Sequence, residues 1–222
     1  MLETFNFRVI IEYLPQFLHG LLATTWISLI SFLGALFIGA LACMGRLSHL
    51  RILNIPAGIF IETIRSTPLL AQIYFFYFGL PSLGLRLSEY QTGILALSLN
   101  SGAYMAEILR AGVQSIAYGQ IEAGIASGLD YFQRLRYIIL PQAIGATIPP
   151  LLGQTIVLVK DSALLSLISV FELTRAGQLM NSEMFMPAEG FFTTALFYLL
   201  MYHILKTLSS WWQKKLIFRP VT

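Results

Sequence analysis

Apolar residues run along this chain in long blocks, and the charged residues are gathered mainly between the blocks. A helix that crosses a bilayer needs about 20 mostly apolar residues, because a rise of roughly 1.5 Å per residue must cover a hydrocarbon core of roughly 30 Å. Five blocks have that length and predict spanning helices at 18–44, 55–80, 90–111, 144–170 and 190–211. The stretch 113–141 is too polar to span. Within it Ile116, Ala123, Leu129 and Leu135 stand between polar neighbours, as in short helices lying on a membrane surface. Gly124 and Gly128 are four apart, which predicts one shared helical face that either admits another backbone or permits a sharp turn. Leu129 and Asp130 are expected to start a second short helix, and Pro141 to mark the turn into the fourth span. The pattern predicts an all-α integral membrane protein, with residues 1–222 forming a single transmembrane domain.

Composition agrees. Hydrophobic residues make up 56% of the 222, and charged residues only 11%, against about 25% in soluble domains. The net charge of +3 comes from scattered basic residues, so no nucleic-acid surface is expected. Their distribution predicts orientation instead. One set of connections holds Arg46, Arg51, Arg110, Arg134, Arg136, Lys206, Lys214, Lys215 and Arg219; the other holds Arg8, Arg86 and Arg175. The richer side is expected to be cytoplasmic. That puts the N-terminus outside, the C-terminus inside and 113–141 in the cytoplasm, with Trp211 and Trp212 anchoring the inner interface. Cys43 is the only cysteine, and His19, His49 and His203 are far apart, so neither a disulfide within the chain nor a metal site is predicted. Glu3, Arg8 and Glu12 interrupt the pattern of a cleavable signal, so the first span is expected to be retained.

Polar side chains inside spans are costly unless they face protein or water, and each is a functional candidate. Asn100, Tyr104 and Glu107 fall on one stripe of the third span, with Ser101 beside Asn100 near its midpoint. Asn100 and Ser101 either line a solute path or only bond a neighbouring helix. Gln154 and Asp161 share a face of the fourth span, and Pro149 and Pro150 before them are expected to break the helix. Asp161 has two readings: a ligand for a cationic substrate group, or a lock paired with Lys160 or Arg65. Glu62 and Arg65 are three apart and can pair along the second span, as structure or as part of a cytoplasmic gate. Pro68 is expected to kink that span, which brings Gln72 toward mid-membrane.

The segment Glu122-Ala123-Gly124, with Gly128, Leu129, Ile138, Leu140 and Pro141 at their spacings, resembles the EAA signature of ATP-binding cassette importer permeases, with Gly124 in place of the second alanine. Glu62-x-x-Arg65-Ser66-Thr67-Pro68-Leu69-Leu70-x-Gln72 resembles a segment of the polar amino acid branch, with Ser66 where glycine is usual. Gly102-Ala103-Tyr104 with Glu107 and Arg110, Gly119-Gln120, and Lys160-Asp161-Ser162-Ala163-Leu164-Leu165 resemble further segments in the same order.

The resemblance implies a type I importer permease fold in a bacterial inner membrane. It implies that the 113–141 loop docks as a coupling helix on an ATPase. The implied partners are two ATPase subunits, an extracytoplasmic solute-binding protein (periplasmic or lipoprotein) and a second permease, identical or related. ATP and Mg would bind the ATPase, and this chain would hold no cofactor. The chain has no GxxxxGK[ST] phosphate loop, so hydrolysis is expected on a separate polypeptide. A permease for another solute, such as methionine, phosphate or an opine-like compound, is the nearest alternative. A membrane enzyme lacks its catalytic cluster. A gradient-driven transporter fits poorly with five spans and no inverted repeat.

Overall fold

The computed structural model describes residues 5–217, with side chains as far as Trp211. Of the residues invoked above, Glu3 and Arg219 lie outside the described residues, and Trp212, Lys214 and Lys215 outside the described side chains.

The described residues are helical almost throughout. Helix α1, Phe7–Leu47, is capped by Asn6, whose side chain accepts from the Arg8 amide at 3.1 Å. It starts well before the predicted 18–44 because Tyr13 and Phe17 are buried against Leu173, Ala176 and Met180. One face of α1 is a seam of small residues that includes Ala23, Ser31, Ala35, Gly39 and Ala42. Helix α4, Glu89–Gln114, packs into that seam. A Cβ on Gly39 would stand 2.9 Å from Met105 Cβ, and one on Gly102 3.2 Å from the Ala35 carbonyl. Close approach of this kind is what holds helices together in lipid, where burial of apolar surface supplies no drive.

The second predicted span is two helices. Helix α2, Arg51–Ser66, ends where Thr67 and Pro68 become extended, and α3, Leu69–Ser82, follows with a π turn at Phe75–Gly79. The predicted kink at Pro68 is a full break, because the residue before a proline is driven out of the helical region.

The cytoplasmic-loop prediction is revised. Helix α5, Tyr118–Ala126, ends at Ser127, and Gly128 stands beyond it with φ +76°. Gly128 therefore makes the turn and does not share a helical face with Gly124. Gly124 is buried, and a Cβ there would meet Ile138 Cδ1 at 2.6 Å. The helix that follows is not short. Asp130 and Gln133 form a reciprocal cap, and α6 runs without interruption from Tyr131 to Ile168.

Two proline expectations fail within α6. Pro141 marks no turn, because it stands two residues past a π turn, Leu135–Ile139, where the hydrogen-bond ladder changes ring size and a missing donor is absorbed. Pro149 and Pro150 do not break the helix, which is regular from Leu140 to Asp161; neighbouring helices make such prolines tolerable. The irregularity comes after Asp161. Residues Ser162–Ile168 tighten into a 3-10 helix and Ser169 takes φ +65°. There Ser162 and Ser166 donate to the carbonyls of Val159 and Ala163, both at 2.8 Å.

Helix α7, Leu173–Met184, was not foreseen. It is amphipathic, burying Leu173, Ala176, Gly177 and Met180 at helical spacing. Glu172 caps it, accepting from the amides of Thr174 and Arg175 at 2.8 Å and from the Tyr198 hydroxyl at 2.9 Å. Helix α8, Pro187–Ile217, is the last described element.

Among the described residues, three helices are long and apolar enough to cross a membrane: Phe7–Leu47, Tyr131–Ile168 and Pro187–Trp211. The other two predicted spans miss that description for different reasons. One is broken at Pro68. The other, α4, carries Asn100, Ser101, Glu107 and Arg110 in 26 residues.

Candidate functional site

The break between α2 and α3 leaves carbonyls without helical donors, and Gln72 supplies one. Its Nε2 donates to Ile64 O at 2.8 Å, Thr67 O at 3.1 Å and Thr67 Oγ1 at 2.8 Å. Its Oε1 accepts from Asn100 Nδ2 at 3.2 Å. The broken span is thus tied to α4 by one amide pair, buried on both sides.

Beside this joint lies a cavity of about 530 Å³, within the range of roughly 300–1,000 Å³ usual for small-ligand sites. Arg65, Ser66 and Thr67 reach it from the break, Asn100 and Tyr104 from α4, Gln154 and Asp161 from α6. Four of the predicted path residues, Asn100, Tyr104, Gln154 and Asp161, therefore converge on one space. Ser101 is buried and Gln72 stands behind Asn100, and neither lines the cavity. Ser66, Thr67, Leu69 and Val157 line it without having been singled out for that role. Only the proline break exposes the first three.

The ion pairs differ from expectation. Arg65 does not pair with Glu62 along α2. Its Nη1 leans toward Glu107 Oε2 at 3.8 Å, and its guanidinium lies 5.2 Å from the Tyr104 ring centre. Glu107 is gripped by Arg110 on its own helix, at 2.9 and 2.7 Å. Among the described residues Asp161 pairs with neither Lys160 nor Arg65 within 4.0 Å, so the lock is not formed. Lys160 is exposed.

A second cavity, of about 400 Å³, adjoins the first. Arg65, Ser66 and Tyr104 border both, and Arg46, Glu62 and Glu107 complete the polar lining of the second. At the far end of α4, the 113–141 excursion presents Glu122 and Ala123 to solvent, and Tyr118, Ile125, Tyr131, Phe132 and Tyr137 of the same excursion are exposed as well. Leu129, Ile138, Leu140 and Pro141 belong to the turn and the start of α6, where Arg134 Nη1 donates to Leu129 O at 2.7 Å.

A chain of apolar helices around a polar cavity, with a folded charged excursion at one end, is a membrane transport subunit in form. Residues 35–219 match the family described as binding-protein-dependent transport system inner membrane component, and the chain belongs to that family. The glutamine transport system permease protein GlnP of Escherichia coli (strain K12) is 40% identical over 199 residues, covering 89% of this chain and 91% of the relative. A probable glutamine ABC transporter permease protein, GlnM of Bacillus subtilis (strain 168), is 36% identical over 196 residues, covering 88% and 91%. In three dimensions the chain is similar to a solved amino acid ABC transporter with histidines, with TM-score 0.92, 32% identity and coverage of 96% of this chain and 99% of that one. Its likeness to the MetNI methionine ABC transporter, at TM-score 0.77 and 17% identity, shows the shared fold.

Proposed function

We propose that this chain is the permease subunit of an ATP-binding cassette importer for a polar amino acid, and that the substrate rests in the larger cavity. The observation that carries this is Asp161: a half-buried carboxylate with no ion pair among the described residues, at a cavity whose polar lining also includes the Arg65 side chain, the amides of Asn100 and Gln154 and the Tyr104 phenol. An unpaired charge within a membrane is costly, and a substrate ammonium would supply its partner. The relatives' names point to the same class of substrate.

The reading includes five spans: α1, α2 with α3, α4, α6 and α8. The N-terminus lies outside and the C-terminus inside. A second permease, the same chain or a related one, completes the pore, and a binding protein delivers the solute from outside. ATP is hydrolysed on two separate subunits, which grip the excursion through Glu122, Ala123 and its exposed aromatic residues. Arg65, Tyr104 and Glu107 stand at the lower end of the substrate cavity as its gate.

The test uses the assembled complex in vesicles with labelled glutamine. Asp161→Asn is expected to raise the KM for uptake by about tenfold or more while basal ATP hydrolysis persists, the signature of lost substrate binding. Uptake kinetics unchanged by Asp161→Asn would sink this placement of the substrate.

A further inference from the structure

The smaller cavity has its own charge pattern. Arg46, Glu62, Arg65 and Glu107 line it, so it holds two guanidinium groups and two carboxylates. One carboxylate is already spent. Arg110, from outside the lining, holds Glu107 with two short hydrogen bonds. The contact from Arg65 to Glu107, at 3.8 Å, is longer than a hydrogen bond. Arg46 donates one Nη to the Asn54 side chain, which leaves most of its five N–H donors unassigned. Glu62 has no ion pair within 4.0 Å among the described residues. What remains is two guanidiniums with donors to spare and one carboxylate without a cation.

That set is the complement of a zwitterion. A planar guanidinium takes a carboxylate through paired N–H bonds, and a carboxylate takes an ammonium. We propose that the smaller cavity is a second station for a free α-amino acid, its carboxylate against Arg46 and Arg65 and its ammonium against Glu62. The proposal rests on the reading of this chain as an amino-acid importer. Arg65 borders both cavities, so it is the point at which a solute passes from one to the other. Arg46 and Glu62 belong to the second cavity alone. Glu62 and Arg65 are one helical turn apart on α2, so they face the same space. A headgroup phosphate would also satisfy the guanidiniums, but it would set an anion against Glu62.

A station on the exit side fills when product accumulates inside. The experiment uses the assembled complex in vesicles with ATP within, the binding protein and labelled glutamine outside, and unlabelled glutamine loaded into the lumen. Each initial rate is normalised to the same preparation without lumenal glutamine. Wild-type uptake is expected to slow as lumenal glutamine rises. Glu62→Gln and Arg46→Gln are each expected to raise the half-inhibiting lumenal concentration by about fivefold or more, the loss of roughly one charged contact. If either variant fails to assemble, Glu62→Asp and Arg46→Lys take its place and are expected to shift in the same direction by less.

The station is overturned if wild-type uptake ignores lumenal glutamine, or if the variants leave the half-inhibiting concentration where it was. Slowing that follows the anionic-lipid content of the vesicles and ignores lumenal glutamine assigns the cavity to a headgroup and also overturns it. Absence of any binding-protein-dependent uptake would count against the importer reading itself, a result distinct from these.

Discussion

Gln72 and Asn100 act as one joint. Sequence spacing places both near mid-membrane, and both were expected along the substrate path. Only Asn100 borders the cavity. Gln72 is committed to Ile64 O and Thr67 O, the carbonyls that the Pro68 break strands. Its use as a helix patch is invisible in the sequence, because it depends on where the break falls and on which carbonyls lose their donors. Gln72→Leu is expected to destabilise the detergent-purified chain by about 1–3 kcal/mol, the cost of burying polar groups without partners. Thermal unfolding in detergent checks this. Asn100→Leu is expected to depress uptake while basal ATP hydrolysis survives. If Asn100 only braces Gln72, the two variants should match in both uptake and melting temperature; if Asn100 also touches substrate, Asn100→Leu should lose more uptake at equal stability.

The excursion between α4 and α6 owes its shape to two glycines with different tasks. Gly124 makes room for Ile138 and Arg134, so that α5 lies against the start of α6. Gly128 takes a left-handed φ that other residues reach only at a cost. Gly124→Leu is expected to push α5 off α6 and to lower uptake per ATP hydrolysed in reconstituted vesicles, leaving hydrolysis itself active. Gly128→Trp is expected to lower the same ratio and also the melting temperature, since it adds backbone strain. A ratio equal to wild type in both would remove the mechanical role.

Helix α7 offers a second test. Its cap, Glu172, is fully buried, and burial pushes its carboxyl up to about 7 from an ordinary 4.5. The folded state therefore favours the protonated form. The stabilisation this provides is complete below pH 4.5 and is lost as pH rises through about 7. Thermal stability is expected to fall between about pH 5 and 8, and Glu172→Gln to flatten that slope. An equal slope in both proteins would show that other groups set it.

At the scale of the molecule, the two cavities share Arg65, Ser66 and Tyr104 at their border, and the excursion joins α4 to α6. A conformational change at α5 and α6 therefore has a continuous route to the cavity, because α6 is one helix from Tyr131 beside the excursion to Asp161 at the cavity. The sequence expectation of a turn at Pro141 and a break at Pro149 and Pro150 would have interrupted that route. Phe132, exposed at the start of α6, is expected to lie against the ATPase in the proposed assembly. A cysteine there is expected to cross-link to the ATPase subunit in native membranes and to be labelled only from the cytoplasmic side. Labelling from outside would invert the proposed orientation.

Helical class, the apolar blocks, the polar excursion and the stripe holding Asn100, Tyr104 and Glu107 all followed from the order of residues alone. Each depends on the helical period or on the cost of polar groups in lipid, and both act locally. Tertiary structure decided what needs two segments at once. It put Gln72 behind the cavity rather than in it, turned Arg65 from Glu62 to Glu107, left Asp161 without an ion pair among the described residues, and continued α6 through three prolines. The physical reason is that a hydrogen bond or an ion pair goes to whichever partner the packing brings within reach, and that partner here often lies on a different helix.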